Sequence, residues 1–121
     1  MPKILVIEDE LNIQKLAKVN LSASGYQVLV ATDGEEGLGL AQMEYPDLIL
    51  LDLMMPGMSG WDVLIALKAD QKLQKTPVII MTASLREGEK DKARSLGAAG
   101  YLMKPYSADE LLRQVKQVLG E

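Results

Sequence analysis

The 121-residue chain contains neither cysteine nor histidine. Without Cys there is no disulfide, no thiolate nucleophile and no Cys-ligated zinc. Without His there is no Ser-His-Asp triad, no imidazole base and no His-ligated metal. No apolar run approaches the roughly 20 residues that a membrane-spanning helix needs, and residues 1–20 lack the basic segment and apolar core of a secretion signal. Basic charge is not in excess either: 13 Lys and Arg stand against 17 Asp and Glu, a formal net charge of −4. That balance argues against a grip on a nucleic-acid backbone, which calls for a basic face. These absences lead us to expect a cytoplasmic protein with no membrane and no direct nucleic-acid partner. Any chemistry must run on carboxylates, hydroxyls and Lys.

What is present suits one domain over residues 1–121. The chain is 48% hydrophobic and 25% charged, and at this length folding hides roughly two-thirds of the unfolded surface, enough for a core without metal or disulfide staples. No repeat, low-complexity tract or Pro/Gly/Ser-rich linker divides it. Short apolar runs recur at Ile4–Ile7, Val28–Val30, Leu48–Leu51, Val78–Met81 and Tyr101–Met103. Each is too short for a helix and right for a strand buried on both faces. Helical spacing fills the gaps. Ile13, Leu16, Ala17, Asn20 and Leu21 share one stripe; Leu111, Leu112, Val115, Val118 and Leu119 share another, and Ser107 with Glu110 has capping-box spacing just after Pro105.

Alternating strands and helices read as (βα)₅, an α/β fold whose parallel sheet is covered on both faces. Two helices look weak. The segment Gly34–Met43 carries Gly37 and Gly39, each costing on the order of 1 kcal/mol relative to Ala in a helix interior. Arg86–Leu96 is nearly all charged, contains Gly88 and offers only Ala93 and Leu96 to a core. It is expected to be marginal and held by its neighbours.

In open sheets of this kind ligands sit beyond the carboxyl ends of the strands, where the winding direction reverses. The residues able to do chemistry fall there: Glu8 and Asp9 after the first strand, Asp52 after the third, Thr82 after the fourth and Lys104 after the fifth. Like-charged carboxylates gathered in a cleft repel, by roughly 4 kcal/mol for a pair about 4 Å apart at an effective dielectric near 20. Lys104 supplies one compensating charge, and a hard divalent ion on oxygen ligands, typically Mg²⁺, supplies the rest. A carboxylate flanked by such an ion, a Lys and a hydroxyl suits acceptance of a phosphoryl group as an aspartyl phosphate.

The successive blocks IEDE at 7–10, LILLDLMMPGMSG at 48–60, MTA at 81–83 and YLMKP at 101–105 resemble, in order and spacing, the signatures of receiver domains of two-component response regulators. The likeness runs from Lys3 to Leu119. It implies a doubly wound, three-layer sheet of order 2-1-3-4-5. It implies that Asp52 is phosphorylated from a phosphohistidine donor and that Glu8, Asp9, Asp52 and the backbone carbonyl of Met54 hold Mg²⁺. Lys104 would pair with the phosphoryl oxygens, Thr82 would swing in to hydrogen-bond one of them, and small Ala83 would leave access to the site. Tyr101 would turn inward as Thr82 moves, reshaping the face made by the fourth helix, fifth strand and fifth helix. The Lys104–Pro105 bond would be cis. The partners implied are a sensor histidine kinase or histidine phosphotransfer protein upstream and a protein target downstream. The chain would be a switch with self-phosphorylation and autodephosphorylation only, not an enzyme in the usual sense.

Where many DNA-binding regulators carry an acidic pair used in dimerisation, this chain has Ala99 and Gly100. A monomer or a weak phosphorylation-dependent dimer is therefore expected. With no output domain after Glu121, the expectation is a stand-alone receiver working through protein contacts. Each residue also has a plainer reading. Glu8, Asp9 and Glu10 would complement a helix dipole, Thr82 would be a cap or turn residue, Lys104 a solvated surface residue, Pro105 an ordinary turn proline and Tyr101 core packing. Their coincidence at strand ends is what favours a site. Trp61 and Asp62 read as structural, beside a Ser59–Asp62 capping box, and Met54, Met55 and Met58 as loop filler. Haloacid-dehalogenase-type phosphatases also use an Asp at a strand end, but they need a second acid two positions on, where this chain has Met54. A nucleotide or flavin site would need a Gly-rich loop after the first strand, and none is there.

Overall fold

The computed structural model describes residues 1–83 and 88–121. Strands and helices alternate: β1 (Lys3–Ile7), α1 (Leu11–Ala23), β2 (Gln27–Ala31), α2 (Gly34–Glu44), β3 (Leu48–Asp52), α3 (Gly60–Ala69), β4 (Val78–Thr82), α4 (Glu89–Ser95), β5 (Gly100–Met103) and α5 (Ala108–Leu119). All neighbouring strands pair in parallel, in the order β2-β1-β3-β4-β5. This is the (βα)₅ order expected.

Alternation along the strands sorts the core into two halves. Ile4, Val6, Leu48 and Leu50 pack on one face with Ala17 and Leu21 of α1 and with Leu111 and Val115 of α5. Leu5, Ile7, Ile49 and Leu51 pack on the other with Ala41 of α2, Val63, Leu64 and Leu67 of α3 and Ala93 of α4. Three layers result. The expectation of strands buried on both faces holds for the central β1, β3 and β4. It fails for β2 and β5, which are the sheet edges and only part-buried.

The stripe expected on α1 is rotated from the observed one. Gln14, Ala17 and Leu21 face the sheet, whereas Leu16 is 62% exposed. Spacing of i, i+3 and i+7 decides the buried face, and apolarity alone had favoured Leu16. The α5 stripe stands, its N-terminus capped by Ser107 Oγ, which accepts from the Glu110 N–H at 3.1 Å. Of the helix expected at Arg86–Leu96, only α4 is described; Arg86 and Glu87 lie outside the described residues. No helix among the described residues is long and apolar enough to cross a membrane.

Candidate functional site

The chain leaves β1 toward β2 on one side and, after returning, builds β3, β4 and β5 on the other. The reversal therefore lies between β1 and β3, and the crevice there opens beyond their carboxyl ends. Glu8 and Asp9 follow β1, Asp52 ends β3, Thr82 ends β4 and Lys104 follows β5. Ligand oxygens of Glu8, Asp9 and Asp52 all lie within 4.8 Å of one another. Lys104 Nζ reaches into the same group, 2.5 Å from Glu8 Oε1 and 3.3 Å from Asp52 Oδ2. Asp9, Glu10, Asp52, Met54, Ala83 and Lys104 line a cavity of about 400 Å³ over the cluster.

Backbone geometry aims these groups. The Met54 N–H donates to Asp52 Oδ1 at 3.1 Å, and the Glu10 N–H donates to Glu8 Oε2 at 3.1 Å. Met54 turns its side chain outward. Gly60 opens α3 beneath this loop, capped by Ser59 Oγ, which accepts from the Asp62 N–H. A Cβ at Gly60 would fall on the Asp52 carbonyl oxygen and 2.5 Å from Leu53 Cα. The absent side chain lets the helix press against the residue bearing the central carboxylate. The Lys104–Pro105 peptide bond is cis.

Glu8 is fully buried, Asp52 nearly so, and Thr82 is buried at the end of β4. Burial first, then a hydrogen bond shared with Asp52, pushes the Glu8 carboxyl up to about 7 from its ordinary 4.5, against the pull of Lys104 and the Glu10 N–H. Burial also works against the Lys104 ammonium, but the carboxylates of Glu8 and Asp52 outweigh it and hold that group above its ordinary value. Tyr106, two residues on, is pushed up to about 12 by burial and by the charges of Glu8 and Asp52. Its hydroxyl lies 3.6 Å from Met81 Sδ.

The residues present fit a hard cation. Three carboxylates face one ammonium. Glu8 Oε1 is buried, and its neighbour is the Lys104 ammonium, an ion-pair partner. Buried carboxylate oxygens gathered in an all-oxygen set are what Mg²⁺ takes as ligands.

Tyr101 of β5 lies toward the α4 side, its hydroxyl donating to the Lys90 carbonyl at 3.3 Å and its ring 5.1 Å from Lys90 Nζ. The structure thus brings Glu8, Asp9, Asp52, Lys104, Met54 and Ala83 together, with Thr82 on the adjacent strand end, and places Tyr101 apart on the α4–β5 face. The sequence reading passed over Gly60, Gln14 and Tyr106. A glycine directly after a cap, where any residue continues a helix, was the signal for Gly60. For Gln14 it was a carboxamide on the buried spacing of Ala17 and Leu21.

Comparison with known proteins agrees with this geometry. The family model described as "Response regulator receiver domain" matches residues 4–116. The polar-differentiation response regulator DivK of Brucella anthropi is 39% identical, over 100% of this chain and 99% of its own. The alkaline phosphatase synthesis transcriptional regulatory protein PhoP of Bacillus subtilis is 44% identical over 97% of this chain. The chain spans about half the length of PhoP and of other transcriptional regulators it matches. Among solved structures, the chemotaxis protein CheY4 of Vibrio cholerae superposes with a TM-score of 0.93 at 31% identity, covering 98% of both chains. The receiver domain of sensor histidine kinase PA1611 of Pseudomonas aeruginosa, with a magnesium ion coordinated in its active-site cleft, gives 0.90 at 28% identity, covering 99% of this chain and 98% of its own. The chain belongs to the response regulator receiver domains of two-component signalling.

Proposed function

We propose that residues 1–121 act as one phosphorylation switch whose acceptor is Asp52, charged by a phosphohistidine on a sensor kinase or a histidine phosphotransfer protein. The carrying observation is the buried Asp52 carboxylate at the winding reversal, flanked by Glu8 and Asp9 on one side and by Lys104 on the other. A carboxylate oxygen of Asp52 attacks phosphorus, the P–N bond of the donor breaks, and its electron pair stays on the imidazole, which takes up a proton. Glu8, Asp9, Asp52 and the Met54 carbonyl would hold Mg²⁺, which supplies charge neutralisation to the transferring oxygens.

The chain's own groups do the rest. The Met54 N–H and the Lys104 ammonium orient the acceptor carboxylate, and Lys104 can turn to a phosphoryl oxygen once one is present. Ala83 borders the opening without filling it, leaving room for donor entry. Thr82 would then hydrogen-bond the phosphoryl group, and Tyr101 would leave the Lys90 carbonyl and turn inward. The face formed by α4, β5 and α5 would change, altering affinity for a downstream protein. The setting is a cytoplasmic phosphorelay with the chain as a monomer or weak dimer, and no contact with nucleic acid or membrane is needed.

The test is incubation with acetyl phosphate or beryllofluoride, with and without Mg²⁺, followed by intact mass and amide spectra. With acetyl phosphate, wild type should gain one phosphoryl group only with Mg²⁺, and with beryllofluoride its amide spectra should change only with Mg²⁺; Asp52→Asn should show neither. Incorporation that survives in Asp52→Asn would overturn the assignment. For the output step, Tyr101→Ala should still be phosphorylated but should lose the phosphorylation-dependent change at α4.

A further inference from the structure

Gln14 is a polar side chain on the buried face of α1, only 8% exposed. Its single amide nitrogen lies 3.1 Å from the Glu8 carbonyl and 3.2 Å from the Ala31 carbonyl. Both neighbours accept, so the nitrogen, not the oxygen, must point there. These carbonyls stand at the ends of β1 and β2, where the ladder closes with the pair Ile7–Ala31 and a last bond from the Glu8 N–H to the Ala31 carbonyl at 2.9 Å. Among the described residues no backbone N–H of a neighbouring strand donates to the Glu8 carbonyl, and the Gln14 amide takes that place. The carboxamide is planar, so its two N–H bonds diverge in one plane and tie the two strand ends together.

Glu8 is thereby held at both ends. Its peptide is fixed by Gln14, its Oε2 by the Glu10 N–H, and its Oε1 lies beside Lys104. Rotation of the Glu8 peptide would swing the carboxylate out of the group shared with Asp9 and Asp52. An apolar residue of the same length would fill the volume as well and bury the same stripe, but it would leave the Glu8 carbonyl without its donor and the Ala31 carbonyl with the Glu8 N–H alone. Packing alone therefore does not account for a carboxamide there.

We propose that Gln14 is a positioning residue for the divalent-cation site: it clamps the Glu8 and Ala31 carbonyls and so fixes the direction of the Glu8 carboxylate. The inference rests on Mg²⁺ being held by Glu8, Asp9 and Asp52. Partners that orient metal ligands from behind commonly change affinity by about 10- to 100-fold when removed. Only the backbone of one ligand is held in this way here, so the lower end of that range applies.

Calorimetric titration of Mg²⁺ should give Gln14→Met a Kd raised about tenfold. Leu21→Val, on the same buried stripe but two turns from the strand ends, should bind Mg²⁺ as wild type does while losing melting temperature. In wild type, the two Gln14 side-chain amide protons should exchange slowly with solvent. They should also shift on Mg²⁺ addition with the same midpoint as the Glu8 backbone amide. A Kd for Gln14→Met within twofold of wild type, or an equal loss in Leu21→Val, overturns the proposal. Should Gln14→Met not fold, the wild-type amide spectra decide it: fast exchange or no Mg²⁺ response of the Gln14 side chain overturns it. Wild type that takes up no Mg²⁺ would defeat the metal reading itself and this inference with it, which separates the two failures.

Discussion

The Glu8 carboxyl concentrates the conflict between fold and function in this chain. Fully buried and pushed up to about 7, it binds its proton more tightly in the folded protein than in the unfolded chain, where 4.5 applies. The folded state then carries more protons across that window, so metal-free stability should be greatest below pH 4.5 as far as this group is concerned. It should fall as pH rises toward 7, by on the order of 2 kcal/mol. Urea unfolding in EDTA at pH 4.5 to 8 checks this, and Glu8→Gln should flatten the slope. Relieving the same crowding from the other side, Asp52→Asn should stabilise the metal-free protein by roughly 1 kcal/mol, because it removes a buried like charge while keeping the shape. An unchanged or lowered urea midpoint for Asp52→Asn would mean that Lys104 already balances the cluster.

At the scale of elements, glycines divide by what surrounds them rather than by helix propensity. Gly37 and Gly39 both look like defects of α2 in the sequence, and their cost in propensity is equal. The structure separates them. A Cβ at Gly37 would lie 2.5 Å from Ile7 Cδ1, whereas one at Gly39 meets nothing within 4 Å. Gly39→Ala should therefore stabilise the protein by about 0.5–1 kcal/mol, and Gly37→Ala should destabilise it by about 1–3 kcal/mol through overpacking on β1. Thermal unfolding of the two variants distinguishes them, and stabilisation by both would refute the close approach. The sparse core contact of α4, by contrast, was readable from composition. Among its described residues only Ala93 is buried, and it starts at Gly88 with no side-chain cap. Side chains hold it from both sides: Lys92 Nζ sits 4.4 Å from the Trp61 ring of α3, and Lys90 Nζ 5.1 Å from the Tyr101 ring. Such exposed cation–π contacts contribute about 0.5–1 kcal/mol each. Lys92→Ala should cost no more than that globally, yet it should speed amide exchange in α4 selectively, while protection of β1, β3 and β4 stays unchanged.

For the whole molecule, the sheet explains both what the sequence revealed and what it hid. The apolar runs of β1, β3 and β4 are fully buried because helices cover both faces, and a run without alternation can be read in a sequence as such a strand. Once five such strands are parallel, their carboxyl ends share an edge, so the placement of Glu8, Asp9, Asp52, Thr82 and Lys104 followed from topology. The packing of helices on the sheet did not follow: the Gln14 hydrogen bond to Ala31, the seat of Gly60 on Asp52 and the exposure of Leu16 depend on helix rotation against the sheet, which apolarity constrains only loosely. The rigid sheet also makes the ion cluster a term in global stability. A cation that binds only the folded chain adds RT ln(1 + [Mg²⁺]/Kd), about 2.7 kcal/mol at one hundred times Kd. For a chain of 121 residues that should raise Tm by roughly 10 °C. Asp52→Asn starts from a higher Tm without metal but loses one of three carboxylates in the cluster. Its gain should be much smaller, so the order of the two proteins should reverse between EDTA and saturating Mg²⁺. Melting curves that rise in parallel would show that the ion is held without Asp52, and curves that do not respond to Mg²⁺ at all would remove the metal from this site.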